Sequence, residues 1–100
     1  MATEKGPLAR DFGLRDQMRR ASVSVCSNVA EGDERNTDKD AVRFFYMAKG
    51  SLAELITQIE IAGEVGYLDS DTMIHFEEDC GEIGKMLGAL IKAREKKIRQ

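Results

Sequence analysis

Tryptophan is absent from this 100-residue chain, proline and histidine occur once each, and aromatic residues make up 6 %. With Pro7 as the lone proline, nothing after the first few residues forces a break in a helix. His75, Cys26 and Cys80 are the only histidine and cysteine ligands, one short of the four that structural zinc takes. A di-iron bundle needs paired Glu-x-x-His motifs, and His75 has no glutamate three residues before it. No Ser–His–Asp or Cys–His grouping offers an activated nucleophile. The sequence therefore implies no enzyme and no cofactor. No apolar run reaches the roughly 18 residues of a membrane span. Residues 1–13 are polar and lack the apolar stretch of a secretory signal. Two widely separated thiols without a disulfide framework suit the cytoplasm.

Alanine, leucine, isoleucine, glutamate, lysine and arginine dominate, which points to an all-α fold. The length suits one small domain, with stability on the order of 5–10 kcal/mol that association would raise. The net charge of −3 conceals an asymmetry. Residues 1–35 carry six basic and six acidic groups, residues 36–81 three and ten, and residues 82–100 six and two. An acidic middle and a basic tail fit assembly of like subunits better than a surface devoted to phosphates.

Hydrophobic spacing predicts an up-and-down antiparallel helical bundle with three main helices, at about 14–31, 38–65 and 70–96. Residues 1–12 read as a flexible lead-in, with Gly6-Pro7 as a breaker, and residues 13–100 as one bundle domain. Leu14, Met18, Ala21, Val25 and Val29 form the first apolar stripe, and Gly32 is expected to end that helix at positive φ. Thr37 reads as the N-cap of the second helix, with Asp38 and Asp40 at its positive end. This helix carries two stripes. Val42, Phe45, Ala48, Leu52, Leu55, Ile59 and Ala62 form one, and Ala41, Phe44, Met47, Ser51 and Ile61 the other. A helix apolar on two sides is central or carries an interface. Gly50 in its middle costs about 1 kcal/mol relative to alanine, which suggests a close helix approach there. Gly66 reads as the residue that closes it, and Asp69 or Ser70 as the next cap. Phe76, Cys80, Ile83, Leu87, Leu90 and Ile91 form the third stripe, and Gly81, Gly84 and Gly88 leave a groove beside it. The tail from Lys92 onward is expected to fray, Ile98 excepted if it packs.

Two polar patterns stand out. Gln17, Arg20, Ser24, Asn28 and Glu31 recur at spacings of three and four, and Ser51, Glu54 and Gln58 repeat the theme. Such a row inside helical sequence needs partners, so it reads first as a structural network that fixes register. Arg20 with Glu54 or Glu31 is its natural ion pair. Glu31 and Glu54 together would be the only acid–base pair to consider. The second pattern is basic: Arg15 and Arg19 on the first helix, and Lys92, Arg94, Lys96, Lys97 and Arg99 on the tail. Brought together by assembly, these residues would engage phosphates of RNA or DNA without sequence preference. No aromatic residue interleaves them, so base stacking is not expected from the sequence.

The string from Gln17 to Val25, continued by Ser27-Asn28-Val29-Ala30-Glu31-Gly32, resembles a known bacterial family. So does Phe44-Phe45-Tyr46-Met47-Ala48-Lys49-Gly50-Ser51-Leu52-Ala53-Glu54-Leu55, with Gln58 and Gly66-Tyr67-Leu68. Both look like the four-helix-bundle proteins encoded in intervening sequences of bacterial 23S rRNA genes. That family is similar to the accessory protein of diversity-generating retroelements. The resemblance implies a ring-like homopentamer and, for the retroelement protein, binding to a reverse transcriptase and nucleic acid. For most members it implies no known activity. This chain departs from the pattern in having only about a dozen residues before Gly13, where the family has a full helix, and Cys26 where the family has proline. A missing helix would leave an apolar groove for a second subunit to fill. The sequence thus points to a non-enzymatic, self-associating scaffold, with nucleic-acid binding through the basic clusters as the alternative.

Overall fold

The computed structural model describes residues 11–99. These form three helices in up-and-down order: α1 (Phe12–Asp33), α2 (Asp38–Glu64) and α3 (Ser70–Ile98). The body extends 50 × 21 × 16 Å, its long axis set by the two longer helices. Most of the expected lead-in lies outside the described residues. Its last two residues do not: Asp11 caps α1 by accepting from the Leu14 amide at 3.0 Å, and Phe12 begins the helix.

Local chemistry sets most of the boundaries. Thr37 caps α2 by accepting from the Asp40 amide at 3.2 Å. Gly66, at φ 81°, ends it. The Tyr67 amide reaches the Ala62 carbonyl at 2.8 Å and the Gly66 amide reaches Gly63 at 3.1 Å. That is the Schellman pairing, and it needs a residue free to take positive φ. Asp69 caps α3, accepting from the Thr72 amide at 2.8 Å. That bond favours the carboxylate and holds the Asp69 pKa below its ordinary value.

Gly32 does not end α1, contrary to expectation. The helix runs one residue past it, and its φ is not positive. Its role is spatial. A Cβ at Gly32 would stand 2.6 Å from Phe45 Cε1 and 3.1 Å from the Ala41 carbonyl oxygen, so the glycine lets α1 and α2 meet at Phe45. The tail does not fray either: α3 is helical to Ile98, because Tyr46 and Asp38 of α2 anchor Glu95 and Arg94.

Helix α2 is the centre, flanked by α1 on one side and α3 on the other. Its first stripe is buried, apart from half-buried Val42. The main core joins Met18, Ala21 and Val25 of α1, Ala48, Leu52, Leu55, Ile59 and Ala62 of α2, and Cys80 and Leu87 of α3. Ala41, Phe45 and Ile91 form a smaller core at the other end. The second stripe of α2 divides. Ala41 is buried, Met47 and Ile61 are about half exposed, and Phe44 lies under the Arg35 and Arg43 guanidinium groups at 4.2 and 5.0 Å. Gly50 has no neighbour within 4 Å, so no close approach occurs there, and Gly81 and Gly88 are equally open. Gly84 alone of the α3 glycines meets a partner, Leu52 at 3.7 Å.

Candidate functional site

The polar row is drawn into a short network at the α1–α2 seam. The Ser24 and Ser51 hydroxyls share a 2.7 Å hydrogen bond, and Asn28 Nδ2 donates to the Ser24 carbonyl at 2.9 Å and its hydroxyl at 3.1 Å. Antiparallel pairing of Ser24 with Ser51 sets the register. It places Glu31 and Glu54 on opposite sides of that bond, about 15 Å apart along the axis at 1.5 Å per residue. They cannot work as an acid–base pair. Glu31 instead binds Arg35 in the loop that follows α1. The expected Arg20–Glu54 and Arg20–Glu31 ion pairs do not form. Arg20 and Glu54 face one shallow depression with Gln17, Ala21 and Ser24, both in solvent. Gln58 is 6 % exposed, and its Oε1 has no hydrogen-bond partner among the described residues.

Between α1 and α3, across the floor of α2, runs an apolar trough of about 230 Å³. Leu52, Leu55 and Ile59 form its floor, Val25 and Cys26 one wall, Phe76 and Ile83 the other. Polar contacts bridge both ends. Tyr67 Oη donates to Asp11 at 3.2 Å, and Arg94 reaches Asp38 at 2.9 Å and Asp33 at 3.9 Å. Helical spacing continues the α3 wall upward through Met86, 65 % exposed, and Leu90. Its rims differ in charge. Arg15, Arg19, Ser22 and Cys26 share a row along α1, and Asp79 and Glu82 share one along α3.

The expected basic clusters separate. Arg15 and Arg19 lie toward the N-terminal end of α1, and the tail cations at the opposite end of the bundle. Arg15 is half-buried, with its guanidinium 4.6 Å from the Phe12 ring centre. Arg94 is engaged by Asp38 and Asp33, and Lys97, one residue on from Lys96, points away from the face that Lys92 and Lys96 share. Lys92, Lys96 and Arg99 converge with Lys49 around an open cleft of about 770 Å³ that also includes Tyr46, Glu95, Gly88 and Ile91. Tyr46 Oη donates to Glu95 at 2.8 Å, and this bond with the nearby carboxylate raises the Tyr46 pKa above 10.0. Lys49 and Tyr46 escaped the linear reading because α2 contributes them from across the helix pair. Spacing within the tail carries no signal of them.

Among the described residues no group of three or more His, Cys, Asp and Glu could hold a metal ion. His75 Nδ1 lies 2.8 Å from the Asp71 carbonyl on its own helix, Cys80 is buried, and Cys26 is exposed. No helix of the described residues is long and apolar enough to cross a membrane.

The family model described as 23S rRNA-intervening sequence protein matches residues 1–89. No curated protein matches the chain. Among solved structures, it is similar to a protein of unknown function from the S23 ribosomal protein family of Bacteroides thetaiotaomicron. The two are 21 % identical with a TM-score of 0.80, over 84 % of this chain and 78 % of that one. At that identity the likeness concerns the fold.

Proposed function

The chain belongs to the 23S rRNA-intervening sequence protein family, and from that premise we propose that it is a non-enzymatic scaffold that works by self-association. The open trough between α1 and α3 carries this reading. Its floor and walls are apolar, and Met86 and Leu90 extend one wall into solvent. Apolar surface of this kind, rimmed by polar residues, marks an interaction site.

A second copy of the chain is the occupant that fits. The α1 rim is basic at Arg15 and Arg19, and the α3 rim acidic at Asp79 and Glu82. When the α3 wall of one copy enters the trough of another, the acidic row meets the basic row. The contact is self-complementary, as a two-fold interface requires. It also covers Phe76, Ile83, Met86 and Leu90 on both copies at once.

Sedimentation equilibrium of the wild type and of Met86→Glu/Leu90→Lys tests this reading. Both residues are more than a third exposed, so the substitutions spare the intrachain core. The wild type should associate, and the variant should shift toward the single chain while keeping its helical circular dichroism. An assembly indifferent to both changes would reject the trough as the interface.

A further inference from the structure

The cleft at the other flank of α3 is a separate site, and its charge is out of keeping with the chain. Lys49, Lys92, Lys96 and Arg99 face it with one carboxylate, Glu95, in a protein of net charge −3. General basicity cannot account for that grouping. Nor does compensation of the α3 C-terminus, because Lys49 belongs to α2 and sits in that helix's fourth turn. Glu95 is already engaged: its Oε1 accepts from Tyr46, and its Oε2 lies 3.8 Å from Arg99. The Tyr46 ring is half exposed, with Lys49 Nζ 5.9 Å from its centre. Gly88 contributes no side chain to the cleft wall, and Ile91 forms a buried apolar floor.

From this we infer that the cleft binds single-stranded nucleic acid, its phosphates on Lys49, Lys92, Lys96 and Arg99 and a base against Tyr46. Each element answers one part of the ligand. Four cations drawn from two helices follow a chain of phosphates rather than a single one. A volume of about 770 Å³ open to solvent suits an extended strand and exceeds what a lone phosphate fills. A half-exposed aromatic ring beside those cations supplies a stacking face, which a duplex with paired bases cannot use. With Lys49, Lys92, Lys96 and Arg99 taken by phosphates and Glu95 bonded to the Tyr46 hydroxyl, no polar group of the cleft lining is left to read base edges, so recognition is independent of sequence. The trough lies on the opposite flank of α3, so a strand and a second copy can be bound together.

The test uses fluorescence anisotropy with a labelled oligo(dT), a labelled oligo(U) and a duplex of equal length. In a chain without tryptophan, Tyr46 emission in a Tyr67→Phe background gives a second readout. Both single strands should bind and quench Tyr46, with log K falling against log salt at a slope of about −2 to −3 for three or four phosphates. Lys92→Glu/Lys96→Glu should weaken binding at least tenfold, and Lys97→Glu, on the side of α3 away from the cleft, should weaken it far less. Tyr46→Leu should weaken single strands about fivefold or more and leave the duplex unaffected. Undetectable binding by both strands, or binding unmoved by Lys92→Glu/Lys96→Glu, overturns the site. Equal binding of duplex and single strand with no change in Tyr46→Leu overturns the stacking assignment and leaves a non-selective polyanion surface.

Discussion

Two glycines in the helices should respond to alanine in opposite directions. An alanine methyl at Gly32 would stand 2.6 Å from Cε1 and 2.9 Å from Cδ1 of Phe45. Carbon atoms pack favourably at roughly 3.5–4.0 Å, so one of the two groups must move. Phe45 has little room: it is 1 % exposed and held between Ala41 and Ile91. The Ala41 carbonyl, 3.1 Å from the same methyl, is backbone and does not swing away. Overpacking of this kind costs about 1–3 kcal/mol, against a gain of at most about 1 kcal/mol from helix propensity. Gly50 meets nothing within 4 Å, so Gly50→Ala keeps the whole propensity gain of about 1 kcal/mol. The two variants should therefore differ by about 2 kcal/mol, or roughly 8–16 °C in Tm for a domain of this size. Thermal unfolding followed by far-ultraviolet circular dichroism, at one protein concentration throughout, measures the difference. Gly32→Ala as stable as Gly50→Ala would refute the assigned contact with Phe45. A destabilised Gly50→Ala would mean that the outer face of α2 is covered in solution.

Three further outcomes follow from the same geometry. Tyr46 and Tyr67 donate to Glu95 and Asp11, which raises both phenols above 10.0. Because the folded values are raised, these contacts stabilise below pH 10 and are lost as pH climbs through the folded values. Ultraviolet titration of the native protein should have its midpoint above that of the urea-unfolded chain, and Glu95→Gln should lower it. Burial raises the Cys80 thiol while Cys26 is exposed, so a thiol reagent should label one cysteine quickly and the second only as the protein unfolds. Two fast thiols would contradict the placement of Cys80. Gln58→Leu removes a buried amide oxygen that lacks a partner, and should leave stability unchanged or raise it by about 1 kcal/mol in urea unfolding. A loss of several kcal/mol would show that Gln58 has a partner in solution.

The parts of this fold governed by nearest neighbours were legible in the sequence. Thr37, Asp69 and Gly66 mark helix ends through bonds made within a few residues, and the stripe from Phe45 to Ala62 repeats with the helical period. What depends on a facing helix was not legible. Gly32 looked like a terminator because nothing in its own neighbourhood reveals the Phe45 ring above it. Gly50, Gly81 and Gly88 looked like contact points, yet they are open, since small residues mark a close approach only where another backbone arrives. Of the polar row expected to form one network, only Ser24, Asn28 and Ser51 bond one another at the seam, whose register, which separates Glu31 from Glu54, comes from α1–α2 packing. The same holds for the cleft. Lys92, Lys96 and Arg99 could be read as one cluster, while Arg94 could not be set apart from it before Asp38 and Asp33 were seen to claim it. Lys49 and Tyr46 enter only when α2 is laid against α3.

If the exposed trough joins copies of this chain, its mass in solution reveals it. Size-exclusion chromatography with multi-angle light scattering at micromolar concentration reads that mass. The expected mass is a whole multiple of 11.1 kDa, two or greater. A single species of 11.1 kDa across that range would contradict it.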